Sequence, residues 1–380
     1  MAWDTAAAIS DDLFREVYCV LGLPIDAIEM PAVLHSIEAA AANTAPFVIS
    51  TPNLNFLVNI QTDPEFRESL LLSDLCPTDG MPIVWIARLI GIPIKRRIAG
   101  SDIFEALKAW PRSGRPLKII LFGATELVAA AASRRLNDGS IGLNCVGWVC
   151  PGFGSVEELS QDQFIDQINS SNADFLVAAL GAKKGQLWLQ RNHSRLRVPI
   201  RAHLGATINF QAGTVRRAPY VMQKLGLEWL WRIKEEPYLW KRYWNDGWVL
   251  LRLLLTRVLP LIVWTRWLQL KYGRHGQDLV IRQVLGDESV TVSLSGSATA
   301  GHLDKVISAF RDAIATKKRI MIDFSDTRVV DARFLGLLLM LRKKLNAKAA
   351  GPTFIGLSTE LERIFRLNGL GFLLSSDNGA

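Results

Sequence analysis

The 380-residue sequence predicts an α/β protein: a mainly parallel sheet with helices on both faces, then a basic helical appendage and a small second α/β domain. Three observations carry that expectation. Short runs rich in Val, Ile, Leu and Phe recur at 47–51, 118–122, 144–149, 175–180 and 198–204, with helix-forming sequence between them. From Lys183 to Arg282 there are 19 Lys/Arg against 5 Asp/Glu, a local +14 that leaves the rest of the chain at −6. From about Asp278 the pattern changes to a compact alternation of short strands and amphipathic helices. The expected divisions are a helical lead-in at 1–45, a core at 46–215, the basic appendage at 216–275 and the small domain at 278–380.

With 49% hydrophobic and 21% charged residues the chain is globular rather than disordered. Cys19, Cys76, Cys145 and Cys150 lack CxxC spacing and nearby His partners, which points away from a zinc site or a disulfide framework. The start Met1-Ala2-Trp3-Asp4 has no basic or apolar leader pattern, so the protein is expected to stay in the cytoplasm. Eight of the twelve Trp fall in the basic region, a mixture that suits anionic lipid or nucleic acid. No helix-turn-helix, KH or RNP pattern supports nucleic acid, and the expectation is that none is bound.

In chain order, the lead-in carries Leu-Gly-Leu-Pro at 21–24 and an alanine-rich helix from Pro31 to Ala42. The first strand ends at Thr51-Pro52-Asn53, which places Thr51 and Asn53 at a carboxyl edge, where open α/β sheets bind ligands. Pro77-Thr78-Asp79-Gly80 follows as a polar break before the apolar Ile83–Ile90. A carboxylate in such a loop is either an N-cap or a general base held beside backbone N–H donors. Lys95-Arg96-Arg97 then leads into Gly100-Ser101-Asp102, cations beside a helix start that suit a diphosphate. Lys118–Glu126 reads as a strand, a tight Gly turn and a helix, the opening of a Rossmann-like unit. Gly152-Phe153-Gly154 with Glu157 falls one residue short of the dinucleotide fingerprint and lacks an acidic ribose partner, which argues against nicotinamide.

Taken together, Thr51-Pro52-Asn53, Pro77-Thr78-Asp79-Gly80, Arg97-Ile98-Ala99-Gly100-Ser101-Asp102, Gly205-Ala206, Arg217-Ala218-Pro219, Gly226–Leu230 and Glu236-Pro237 resemble, in order, the WecG/TagA/CpsF glycosyltransferases. The resemblance implies an inverting transferase that moves a sugar from a UDP donor to an undecaprenyl-diphosphate-linked saccharide with no metal or other cofactor. It also implies Asp79 as base, with Thr51 and Asn53 in the sugar pocket and Arg97 on the diphosphate or leaving group. Gly100, Asp102 and Gln186 are expected beside the substrate, and Arg232 and Arg242 in an appendage that folds over the site at the membrane. One departure stands out: where many members read Gly-x-Pro-Lys-Gln-Glu, this chain has Gly181-Ala182-Lys183-Lys184-Gly185-Gln186. That change leaves the donor sugar open and supports an alternative, a catalytically silent membrane-associated regulator.

Trp248–Leu270 is the most apolar run, but Arg252, Arg257 and Arg266 interrupt it. Docking in the headgroup region at the inner face of the cytoplasmic membrane is therefore expected ahead of packing on the protein or a full span. In the small domain, Met321-Ile322-Asp323-Phe324, Val329-Val330-Asp331 and Leu335–Leu338 resemble a STAS domain of the anti-sigma-factor-antagonist type. Ala332 stands where that family often carries a phosphorylatable Ser. The resemblance then implies a docking module, for a protein partner or a second copy, without the phospho-switch.

Overall fold

The computed structural model describes residues 11–111, 114–272, 278–346 and 351–374, and the first ten residues of the expected lead-in lie outside them. The chain forms two compact units, one of Ile28–Val84 with Lys95–Val249, the other of residues through 27, Trp85–Ile94 and Leu250 onward.

The lead-in is only partly helical. Val17–Val20 (β1) and Leu23–Asp26 (β2) pair antiparallel, while Met30–Asn43 is the long helix. Leu21 and Gly22 both take positive φ, 50° and 94°, the two-residue turn whose twist matches a hairpin. The helical expectation fails at 17–26 because the Leu-Gly-Leu-Pro turn fixes a reversal there.

In the first unit, Phe47–Ile49 (β3), Leu117–Gly123 (β4), Leu143–Val149 (β5), Phe175–Ala179 (β6) and Ile200–His203 (β7) form a sheet of order β3-β7-β6-β4-β5, parallel throughout. Strands buried on both faces need continuous apolar sequence, which β3, β4 and β6 supply, while β5 keeps one face exposed and β7 buries Arg201 and His203. Phe122 stacks on Trp188 with centroids 4.2 Å apart, and Trp188 Nε1 donates to the Leu159 carbonyl at 2.8 Å, so the indole is buried without an orphaned donor. This order brings the carboxyl ends of β3, β7 and β6 side by side. The site is built there.

Pro237–Tyr272 forms one helix of 36 residues, long and apolar enough to cross a membrane, with an apolar window only 17% buried. Trp240, Trp244, Trp248, Leu251, Leu255, Leu259, Val263, Trp267 and Leu270 are all exposed along it at spacings of three and four. That spacing makes a single apolar stripe.

In the other unit, Val280–Leu285 (β8), Ser289–Ala298 (β9), Arg319–Asp323 (β10), Thr327–Val330 (β11) and Thr353–Ile355 (β12) form a sheet of order β11-β9-β10-β12, with β8 antiparallel on β9. Helices Leu303–Ala315, Ala332–Asn346 and Thr359–Leu367 cover it, and Phe324 meets Phe334, Phe354 and Phe365 in an aromatic core. The β1/β2 hairpin belongs to this unit. Arg333 donates to the carbonyls of Val17 at 3.1 Å and Arg15 at 2.9 Å, and Lys343 reaches Asp12 at 2.8 Å. A Cβ on Gly336 would come within 2.6 Å of the Val17 carbonyl carbon, so only glycine admits the hairpin at this approach.

Candidate active site

Backbone hydrogen bonds lace three segments together at the sheet edge. Asp79 N–H donates to the Pro52 carbonyl at 2.9 Å, and Ile98 N–H donates to the Thr78 carbonyl at 2.8 Å. Gly100 is buried against both strand ends, a Cβ there lying 2.5 Å from Leu204 Cδ2 and 3.4 Å from Thr51 Oγ1. The ends of β3 and β7 therefore close on the start of the helix Gly100–Ala109. Asn53 caps the helix Leu54–Ile60, its Oδ1 accepting from Asn55 N at 3.0 Å and Phe56 N at 3.3 Å. Thr51, Asn53, Asp79, Arg97, Gly100 and Asp102 are thus brought into one neighbourhood.

A charge network fills it. Arg97 binds Glu228 through Nη1 and Asp102 through Nη2 at 3.4 Å, and Asp102 also receives Arg217. The Ala99 N–H donates to Asp102 at 3.1 Å and fixes that carboxylate at the helix start. Burial pushes the Asp79 carboxyl up to about 7. Arg97 pulls it down, Glu228 and Asp102 push it further up, and the Gly100 N–H, bonded to the carboxylate, opposes them. With Asp79 ionised, three carboxylates face two guanidiniums. One negative charge is unmatched, and a proton on Asp79 cancels it. A helix N-terminus alone would depress this group, but desolvation and the two extra carboxylates outweigh that field.

One face of the helix Gly100–Ala109 carries Asp102, Glu105 and Lys108 in succession, leading from the network to a pocket of about 400 Å³ lined by Glu105, Lys108, Arg135, Phe210, Gln211 and Arg217. Arg217 touches both.

Gln186, Arg232 and Arg242 lie outside this charge network. Gln186 is 1% exposed, its Oε1 accepting from Ser50 Oγ at 2.9 Å and its Nε2 donating to the Ser69 carbonyl at 3.1 Å and Ser73 Oγ at 3.3 Å. The helix Ala182–Arg191 turns this position inward, and the amide ties β3 to the helix Pro64–Leu71 instead of meeting substrate. Arg242 is exposed and lies over the Tyr243 ring at 4.9 Å. Arg232 pairs with Glu236 and lies over Phe210, a pocket residue, at 5.6 Å. Sequence reasoning did not single out Arg217 or Glu228 as site residues. Both stood inside the ordered motif blocks, and only the fold shows that they share partners. A third residue outside the expected set, His203, is buried at the end of β7 with Nε2 lacking a hydrogen-bond partner among the described residues.

Residues 18–261 match the Glycosyl transferase WecG/TagA/CpsF family. The chain belongs to this family. Residues 281–375 match a second description, the Mlab, STAS domain. Among curated relatives, the N-acetylglucosaminyldiphosphoundecaprenol N-acetyl-beta-D-mannosaminyltransferase of Bacillus spizizenii is 27% identical over 203 residues, covering 53% of this chain and 75% of that one. The enzyme of the same name from Staphylococcus aureus is 24% identical over 229 residues, covering 59% and 85%. The match to this WecG/TagA/CpsF chain starts inside the β1/β2 hairpin, so family sequence contributes to both compact units.

Proposed function

We propose that the chain transfers a sugar from a UDP-sugar to a polyprenyl-diphosphate-linked saccharide with inversion, with Asp79 as general base, at the inner face of the cytoplasmic membrane. The observation that supports this best is a carboxyl held near neutrality beside Arg97, at the edge of a parallel sheet. In the displacement, the acceptor oxygen bonds the anomeric carbon and its proton passes to Asp79. The bond from that carbon to UDP breaks, and its electron pair leaves on the diphosphate. Arg97 and Arg217 supply countercharge to that leaving group by exchanging Glu228 and Asp102 for phosphate oxygens, a scheme that calls on no metal or other cofactor. The relatives' names supply the acceptor class, a polyprenyl-diphosphate-linked N-acetylglucosamine.

The exposed stripe of Pro237–Tyr272 supports docking on lipid, with Arg252, Arg257 and Arg266 near anionic headgroups. The small domain then acts as a docking module. Its helix Ala332–Asn346 already carries the chain's own hairpin, and β8, with Val280, Val284 and Leu285 exposed, is the edge open to a second copy or another protein. The silent-regulator reading loses its main support, since Gln186 is a core residue and the space beside Gly185 is filled by His203.

Incubation of the full chain with a panel of UDP-sugars and a prenyl-diphosphate N-acetylglucosamine acceptor tests the reaction. Asp79→Asn should lower turnover by roughly a hundredfold or more. Undiminished turnover in that variant would remove the mechanism.

A further inference from the structure

His203 ends β7 between the ends of β3 and β6, where the site is built. A Cβ on Gly185 would lie 2.7 Å from His203 Cγ and 2.9 Å from Nε2, and one on Gly205 would lie 3.0 Å from Nε2. The imidazole therefore occupies the volume that a side chain at 185 would take, and two glycines leave room for it. The helices Ala182–Arg191 and Gly205–Ala212 begin on either side, with Gly181 N 4.0 Å from that same Gly205 Cβ position.

Burial lowers the His203 pKa to about 4, so the ring is neutral at physiological pH. A buried ring nitrogen without a partner is costly, and a phenyl group would fill this space without that cost. The uncompensated nitrogen points to a ligand. A neutral imidazole favours an uncharged hydroxyl, which can both donate and accept.

We propose that His203 is a specificity-determining contact to the donor sugar: the ring fills the space beside Gly185 and presents Nε2 to a sugar hydroxyl at the carboxyl edge of β7. The inference rests on the UDP-sugar reading and deepens it. Position 203 reads the sugar, and Asp79 acts on the acceptor.

The test is calorimetric titration of the full chain with UDP, UDP-glucose, UDP-N-acetylglucosamine and UDP-glucuronate. Wild type is expected to bind at least one UDP-sugar more tightly than UDP. His203→Phe, which keeps the ring volume, should lose about tenfold of that sugar's affinity while UDP binding stays unchanged and the melting temperature holds or rises, since the buried unpaired nitrogen is removed. His203→Gln should recover part of the loss. The inference is overturned if the preference for sugar survives in His203→Phe, if UDP and UDP-sugar weaken alike, as a phosphate contact would require, or if wild type binds UDP but gains nothing from any sugar. No binding of UDP at all would instead remove the transferase reading beneath it.

Discussion

Replacing Asp79 by Asn is expected to stabilise the protein at alkaline pH and to leave it unchanged at acidic pH. The Asp79 carboxyl ionises near 3.8 in the unfolded chain and at about 7 in the folded one. Between those values the folded state binds more protons than the unfolded state. Wild-type stability is therefore fully present below about pH 4 and falls as pH rises through about 7. At about 1.36 kcal/mol per pH unit, the gap has a ceiling of roughly 4 kcal/mol. Asp79 keeps some exposure, and solvent relaxation brings the expected difference to about 2 kcal/mol. Asn preserves the shape and can accept the Gly100 N–H, but cannot ionise. For a unit of roughly 200 residues, that energy corresponds to a melting temperature roughly 4–8 °C higher for Asp79→Asn at about pH 8. Thermal melts of both proteins at several pH values would give the difference curve. A difference independent of pH, or a variant less stable at alkaline pH, would refute the claim that desolvation and the surplus carboxylate govern this site.

Three further outcomes follow from the same geometry. Glu228→Gln removes a charge that raises the Asp79 pKa, so the acid limb of the kcat/KM profile should move to lower pH and activity at about pH 6 should rise severalfold over wild type at that pH; a limb that stays in place would detach Glu228 from the base. Gly336→Ala should destabilise the unit that contains the hairpin by roughly 1–3 kcal/mol, despite the gain in helix propensity, because the new methyl meets the Val17 carbonyl; denaturant unfolding reads this, and an unchanged midpoint counts against the contact. Replacing Trp244, Trp248 and Leu255 by Ser should weaken sedimentation with phosphatidylglycerol vesicles by roughly tenfold or more while thermal unfolding holds, and undiminished binding would take the stripe out of the membrane contact.

The sheet was legible because β3, β4 and β6 are buried on both faces and read as apolar runs, although β5 alternates buried with exposed residues and β7 carries Arg201 and His203. Their order was legible only as a parallel class. Asp79, Thr51, Asn53 and Arg97 could be placed near a strand edge because Pro, Gly and charged residues interrupt the apolar pattern there. Gln186 was misplaced for a physical reason: sequence spacing gives a helix but not its rotation, and the inward turn is set by Ser50, Ser69 and Ser73 waiting to be satisfied. The pKa of Asp79 is not legible in the sequence, because burial, Asp102 and Glu228 act on it only once the turn and the appendage have folded. β8 and β11 differ in how they join the small sheet. β8 pairs with β9 as a local antiparallel hairpin, whereas β11 pairs parallel with a strand about thirty residues earlier and depends on the tertiary fold.

The hairpin is built into the small domain's own unit. Val17, Cys19, Leu21, Leu23 and Ile25 have no exposed surface, and their cover includes the helix Ala332–Asn346 and the Gly369 turn. A Cβ on Gly369 would lie 2.5 Å from the Leu21 carbonyl oxygen, so the hairpin is gripped on two sides. Arg333, next to the Ala332 that replaces a phosphorylatable Ser, spends its guanidinium on the Val17 and Arg15 carbonyls. A phosphate at 332 would sit beside that guanidinium and compete with these carbonyls for it. Arg333 therefore serves an arrangement in which this helix holds a segment of its own chain.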